Sequence, residues 1–107
     1  MVIPVAIRKG NQEPWKPTSA MIDSGASTQF IDSDFARQLG LLLKQKTVPE
    51  ALIVVDGRKA APLTHTCTLD LMIVQHLETL TFQVTKLAGW QIIVGKTWLK
   101  RHNPVID

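Results

Sequence analysis

The segment AMIDSGASTQFI, residues 20–31, places an aspartate at the end of an apolar run. Asp23 is followed directly by Ser24 and Gly25. Since Asp, Ser and Gly all favour turns, this tripeptide alone indicates a turn. A carboxylate at such a position is also suited to accepting and returning a proton during hydrolysis. The rest of the chain must decide between a turn aspartate and a catalytic one.

Length and composition indicate one ordinary globular domain spanning residues 1–107. The chain is 45% apolar and 20% charged. Its apolar runs are all shorter than the roughly 20 residues that a membrane span needs. No segment has the layout of a secretory signal. We therefore expect neither membrane embedding nor export, but a cytoplasmic location.

The residue types that bind metals or nucleic acids are poorly placed for either task. Cys67 is the only cysteine and the three histidines are scattered, so the sequence lacks the ligand spacing of a zinc site. The net charge of +3 comes from small basic groups with no interleaved aromatic platform. The sequence thus predicts no metal, no cofactor and no nucleic-acid partner.

Most of the chain is predicted to form β-strands. β-Branched and other apolar residues alternate or run together between turn residues, which is typical of strands. The predicted strands are VIPVAI, TSAMI, ALIVV, HTCTLDLMIV, LTFQV and WQIIVG. Asp56-Gly57 is typical of a tight hairpin turn, and HLET, residues 76–79, is predicted to form the turn of a second hairpin.

Two short helices are predicted. Residues 32–40 offer Asp32 or Ser33 as an N-cap, apolar residues at helical spacing, and Gly40 as the end. The second Asp-Ser pair of the chain is therefore assigned to helix capping. KTWLKRHN, residues 96–103, predicts a closing helix that ends before a proline, and the last residues, PVID, are predicted to be extended.

This order of elements is typical of a small closed β-barrel with two short helices. The sequence has no βαβ repeat and no Gly-rich phosphate loop, which argues against nucleotide-binding enzymes. A second apolar strand ending in glycine, IIVG at residues 92–95, follows Asp23 by about seventy residues. Two such strands can lie on either side of one site.

The segments MIDSGASTQFI, VVDGRK and IIVGKTWLKRHNPVID together resemble the retropepsins, the homodimeric aspartic proteases of retroviruses and long-terminal-repeat retrotransposons. The resemblance covers nearly the whole chain, and the last segment is most similar to gypsy-type retrotransposon proteases. It implies a mainly β fold, a closed barrel of the retropepsin type that is active as a homodimer. It also implies that each chain donates one catalytic aspartate, which here is Asp23.

The chemistry of peptide hydrolysis agrees with this assignment. One carboxylate must accept a proton from the attacking water, while a second, protonated carboxyl polarises the carbonyl group and later protonates the leaving nitrogen. One aspartate cannot do both, so Asp23 requires the Asp23 of a second copy. The resemblance implies that the Ser24 hydroxyl bonds across the twofold axis and that Ala26 lines the cleft. Gly25 lacks a side chain, which lets the two loops approach closely.

The resemblance also implies a flap, which is a hairpin at about residues 52–63 that closes over the peptide and excludes water. Hairpin preference alone would make its Asp-Gly tip an ordinary surface turn. The backbone of the substrate is expected to pair with the flap as an added strand. The residues predicted to contact the substrate are Val54, Val55, Asp56, Gly57 and Ile93.

Two functions remain as hypotheses at this point. The first is an endopeptidase that matures a retrotransposon Gag-Pol polyprotein in the cytoplasm, within virus-like particles. The second is a retropepsin-fold module that no longer cleaves and serves in dimerisation or peptide binding. The intact Asp-Ser-Gly at residues 23–25 favours the first. A nucleic-acid-binding barrel is disfavoured, because the sequence lacks an aromatic platform.

Overall fold

In the computed structural model, the described part of the chain forms seven strands and one helix. The described residues are 1–10, 13–23, 26, 28–51, 62–73, 75–87 and 89–95, with the backbone alone for 50, 51 and 62. In chain order the elements are β1 (Val2–Arg8), β2 (Lys16–Ile22), β3 (Phe30–Asp32), α1 (Ser33–Gln38), β4 (Lys44–Ala51), β5 (Pro62–Ile73), β6 (His76–Thr85) and β7 (Ile92–Val94). Within these ranges, no helix has the length and apolar character needed to cross a membrane.

Six of the strands close into a barrel. Their order is β1-β2-β7-β3-β6-β5, and β1 pairs with β5 to complete the ring. β4 extends the sheet beyond β5 and forms its outer edge. The β2–β7 and β3–β6 pairs are parallel, whereas the other pairs are antiparallel. The prediction of a mainly β, closed barrel is therefore confirmed.

The barrel is filled by alternate side chains of its strands. Leu69 and Leu71 of β5, Phe82 of β6 and Ile7 of β1 are almost fully buried. Each such side chain contributes about 1.5–3 kcal/mol when buried. Cys67 shares the inner face of β5, and burial raises the pKa of its thiol to about 11. The thiol therefore stays protonated at neutral pH and behaves as a small core residue.

The helix α1 begins and ends as its sequence predicts. Asp32 is the N-cap, and its Oδ2 accepts a hydrogen bond of 3.0 Å from the Phe35 N–H. Its Oδ1 accepts a bond of 2.8 Å from the Leu87 N–H, so one carboxylate ties the helix to the segment after β6. Gly40 has a positive φ of 70°, and its N–H donates to the Arg37 carbonyl oxygen. The helix thus ends in the left-handed turn that glycine favours.

The predicted turn at HLET is wrong. These residues are the first four of β6, and His76 pairs with Ile73 across the hairpin. The four residues of HLET are exposed or partly exposed, with Leu77 56% exposed, and the alternation with buried residues begins at Leu80. An antiparallel strand with one face in solvent accommodates polar residues without ending. The chain reversal therefore falls before HLET.

The strands β3 and β4 are not predicted from the sequence. β3 has three residues and passes directly into the helix cap. β4 has the sequence KQKTVPEA, which is poor in the residues that favour strands. As an edge strand it pairs on one side only, where lysine and proline are tolerated. The predicted hairpin turn at Asp56-Gly57, the helix at 96–103 and the extended end at 104–107 lie outside the described residues.

A row of polar side chains lies across the outer face of the barrel where β1 pairs with β5. Arg8 is in register with Asp70, and Asp70 with Thr79 of β6. The Arg8 Nε donates to Asp70 Oδ2 at 2.8 Å, and the Thr79 hydroxyl donates to Oδ1 at 2.7 Å. The Arg8 guanidinium also lies 4.3 Å from the centroid of the Trp15 ring. The hydrogen bonds from Thr79 and from Arg8 hold the pKa of Asp70 below its ordinary value.

Replacing Asp70 with Asn should lower the free energy of unfolding at neutral pH by about 1–3 kcal/mol, because the largely buried Arg8 charge loses its partner. The folded-state pKa of Asp70 lies below the ordinary value of 3.8, so its charge stabilises the fold above that value. This contribution is lost as the pH falls through the folded-state pKa. The measurement is urea unfolding of the unaltered protein and of Asp70→Asn, at neutral pH and below about pH 3. The difference between their free energies of unfolding should be smaller in acid.

The control for this prediction is Asp34→Asn. The Asp34 carboxylate is 62% exposed and, among the described residues, pairs with Arg37 on the same helix, so its loss should cost less than about 1 kcal/mol. If Asp70→Asn lowered the free energy of unfolding as much in acid as at neutral pH, the charge of Asp70 would not be the cause of the loss.

Candidate active site

Asp23 lies at the carboxyl end of β2, beside β7. The two strands run parallel, with Met21 in register with Ile93 and Ile22 with Val94. The Asp23 N–H continues this ladder by donating to the Val94 carbonyl oxygen at 3.0 Å. The apolar segments at residues 20–22 and 92–94, which were predicted to lie on either side of one site, are therefore neighbouring strands. Asp23 is the first residue beyond the end of β2.

A backbone hydrogen bond ties Ala26 to Asp23. The Ala26 N–H donates to the Asp23 carbonyl oxygen at 3.1 Å. Both residues are partly exposed, so this point of the chain is accessible from solvent. Ser24 and Gly25 lie outside the described residues, and the roles assigned to them stay predictions.

Because Gly95 has no side chain, the loop after Asp23 can pack against its backbone. Gly95 follows β7 directly and is buried. A Cβ atom at this position would overlap the Thr28 carbonyl oxygen and lie 2.7 Å from the carbonyl oxygen of Ala26, closer than real Cβ contacts. The glycine of IIVG is thus required because the loop backbone packs directly against the end of β7.

Gln29 anchors the far end of this loop to β6. Its side chain is largely buried, and its Nε2 donates to the Thr81 carbonyl oxygen at 2.7 Å. Its own carbonyl oxygen accepts a bond of 3.1 Å from the Gln83 N–H. Backbone and side chain together therefore fix the point at which the loop enters β3. Gln29 is not recognisable from the sequence, since a lone glutamine beside an apolar strand forms no pattern.

Replacing Gln29 with Ala should lower the free energy of unfolding by about 1–3 kcal/mol, because the Thr81 carbonyl group loses a buried donor. Gln38→Ala is the matched control. Gln38 is exposed at the end of α1, so its replacement should change stability by less than about 0.5 kcal/mol. Urea unfolding measures both variants, and equally small effects would show that the Gln29 side chain does not anchor the loop.

Three apolar side chains share one face of the sheet beside Asp23. Ile92 and Val94 are fully buried in the core, so Ile93 between them faces the opposite side. In register, Ile93 lies between Met21 of β2 and Phe30 of β3. Met21 and Phe30 were not among the predicted site residues, because only the strand register reveals that they adjoin Ile93. The contact of Ile93 with a substrate stays a prediction.

The remaining candidate residues fall into two groups. Val54, Val55, Asp56 and Gly57 lie outside the described residues, so the flap stays a prediction. Asp32 has both carboxylate oxygens bonded to backbone N–H groups and belongs to the helix cap. Among the described residues, no group of three or more His, Cys, Asp or Glu side chains is placed to hold a metal ion.

Residues 19–107 match the family described as the PEG10/RTL1 protease domain. The chain belongs to this family. The matched region contains Asp23 and its loop, the strand β7 and Gly95. The retropepsin-like, retrotransposon-derived character predicted from the motifs is thereby confirmed.

Solved structures show that this PEG10/RTL1-type domain has the fold of the retroviral proteases. The retroviral protease-like domain of Ddi1 from Leishmania major is 20% identical with a TM-score of 0.59, and the match covers 100% of this chain and 79% of that one. The EIAV protease in complex with the inhibitor HBY-793 is 14% identical with a TM-score of 0.63, over 100% of this chain and 91% of that one. At these identities the likeness shows the fold alone.

Proposed function

We propose that this PEG10/RTL1-family domain is an aspartic endopeptidase whose active site forms from the Asp23 residues of two copies. The observation that carries the proposal is the setting of Asp23. It follows β2 where that strand runs parallel to β7, its N–H is bound to Val94, and its loop packs on Gly95. One carboxylate held at this position supplies half of the acid–base pair that peptide hydrolysis needs.

In the proposed reaction, a water molecule held between the two Asp23 carboxyl groups attacks the peptide carbonyl carbon. The ionised carboxylate takes a proton from this water, while the protonated partner donates a hydrogen bond to the carbonyl oxygen. A proton then passes to the peptide nitrogen, the C–N bond breaks, and a carboxylic acid and an amine leave. These steps use only the two carboxyl groups and water.

The proposed substrate is a polypeptide bound across the apolar face beside Asp23. Met21 and Ile93, which are partly exposed, would contact apolar side chains on either side of the cleaved bond, and the buried Phe30 would support Ile93 from β3. The flap that carries Asp56-Gly57 would close over the peptide and pair with its backbone. We extend the proposal to maturation of a retroelement polyprotein in the cytoplasm, within virus-like particles.

The test is peptide cleavage measured over a range of protein concentrations, with and without a statine-type inhibitor that imitates the hydrated carbonyl group. Because each chain holds half of the site, activity per mole of protein should rise with concentration until the dimer is fully formed. The inhibitor should abolish cleavage. The activity per mole could instead stay constant down to concentrations at which sedimentation shows only monomer. That result would overturn the proposal of a shared site.

The same experiment separates the proposal from its alternative, a module of this fold that does not cleave. A stable dimer that binds peptides and cuts none of a diverse library, from mildly acidic to neutral pH, would favour the non-catalytic module.

A further inference from the structure

A groove of about 530 Å³ lies on the outer face of β5 and β6, beside the turn that follows α1. The lining residues that matter here are Lys9, Lys44, Thr66, Thr68, Thr81 and Leu42. We call it the lysine groove. The described residues around Asp23 are not among those that line it, so it is separate from the candidate active site.

The charge of the lysine groove favours an anionic ligand. Lys9 and Lys44 line it, and its described lining includes no acidic residue. A third ammonium group, that of Lys46, lies on the same face, since its Nζ donates to Gln83 Oε1 at 3.0 Å. Asp70, which follows Thr68 on the outward side of β5, is already held by Arg8 and a threonine hydroxyl. It therefore does not cancel the lysine charges.

Hydroxyl groups line the floor of the lysine groove. Thr68 and Thr81 are cross-strand partners whose hydroxyl oxygens lie 3.2 Å apart, and Thr66 is in register with Lys44. A hydroxyl donates to a carboxylate oxygen and accepts from a backbone N–H. The groove therefore offers hydrogen bonds that suit a polypeptide as well as charges that suit its acidic side chains.

The rim of the lysine groove is apolar at one point. Leu42 is 90% exposed, so its side chain is accessible to a ligand in the groove. It lies in the segment between α1 and β4, close in sequence to Lys44. An extended ligand that places carboxylates on the lysines can therefore also place an apolar side chain against Leu42.

We infer that the lysine groove binds an acidic segment of a partner polypeptide that carries an apolar side chain among its carboxylates. A nucleic acid fits less well, because the described lining has no aromatic ring for base stacking and phosphates gain nothing from Leu42. This binding is independent of hydrolysis at Asp23.

The experiment measures fluorescence anisotropy of a labelled peptide of repeating Glu-Glu-Leu with the Asp23→Asn protein, which excludes cleavage of the probe. Binding should weaken as salt is added, because exposed charges are screened. Lys44→Glu should weaken it roughly tenfold, since an attraction becomes a repulsion. Leu42→Ser should weaken binding of this peptide but not of a Glu-Glu-Ser repeat.

Lys86→Glu is the matched control, since Lys86 is also exposed and does not line the groove. It makes the same change in net charge and should alter affinity less than about twofold at moderate salt. An equal loss in Lys86→Glu and Lys44→Glu would overturn the proposal, because binding would follow net charge alone. Tighter binding of a single-stranded RNA that also depends on Lys44 would overturn it in favour of nucleic acid, and no binding of either probe would refute it outright.

Discussion

Replacing Asp23 with Asn is expected to reduce peptide hydrolysis by at least about 10³-fold while leaving the barrel folded. The amide has nearly the shape of the carboxyl group but cannot accept the proton of the attacking water. In a homodimer both carboxyl groups are lost at once. The contacts that hold this segment, from the Asp23 N–H to Val94 and from Ala26 to the Asp23 carbonyl, are made by the backbone and are kept. The measurement is the initial rate on a peptide that the unaltered protein cleaves.

Two controls make this result specific. Asp34→Asn removes an exposed carboxylate on α1 and should retain full activity. Adding an excess of the Asp23→Asn protein to the unaltered protein should suppress its activity, because mixed dimers hold only one of the two carboxyl groups. An Asp23→Asn protein with the unaltered rate would exclude Asp23 from the chemistry.

The parts of the fold that the sequence predicts are those formed by local interactions. The helix α1 is the clearest case. Asp32 bonds the N–H three residues later, and Gly40 adopts the left-handed conformation that ends the helix, so both signals act within the segment itself. The strand β7 and the end of β2 are predicted for a similar reason, since their short apolar runs, IIV and AMI, are visible within the segments themselves.

The parts that the sequence does not predict depend on contacts between distant segments. β4 is stabilised by pairing with β5, although its own residues favour a loop. Arg8 and Asp70 lie 62 positions apart, and nothing near either residue indicates the other. The candidate site shows the same division. Asp23 is recognisable from its neighbours, whereas Gln29, Met21 and Phe30 join the site only through register and through a bond to β6.

The second large effect is expected for Gly95→Ala, which should lower the free energy of unfolding by about 1–3 kcal/mol. The added Cβ meets the carbonyl oxygens of Thr28 and Ala26, and backbone atoms cannot rotate away as a side chain does. The loop must therefore move away from β7. Because the Ala26 N–H is bonded to the Asp23 carbonyl oxygen, this movement is passed to Asp23. Urea unfolding measures the loss.

Gly10→Ala is the matched control, because no atom of the described residues lies within 4 Å of a Cβ at Gly10. It should be neutral or slightly stabilising, since alanine restricts the unfolded chain. If Asp23 is catalytic, Gly95→Ala should also lower the rate by roughly 10²-fold under conditions where the variant is fully folded, because a displacement of about 1 Å at a reacting group costs that much. A variant that is less stable but fully active would show that Gly95 serves packing alone. Loss of rate in the folded protein is expected only if the close approach of the loop to β7 sets the position of the Asp23 carboxylate.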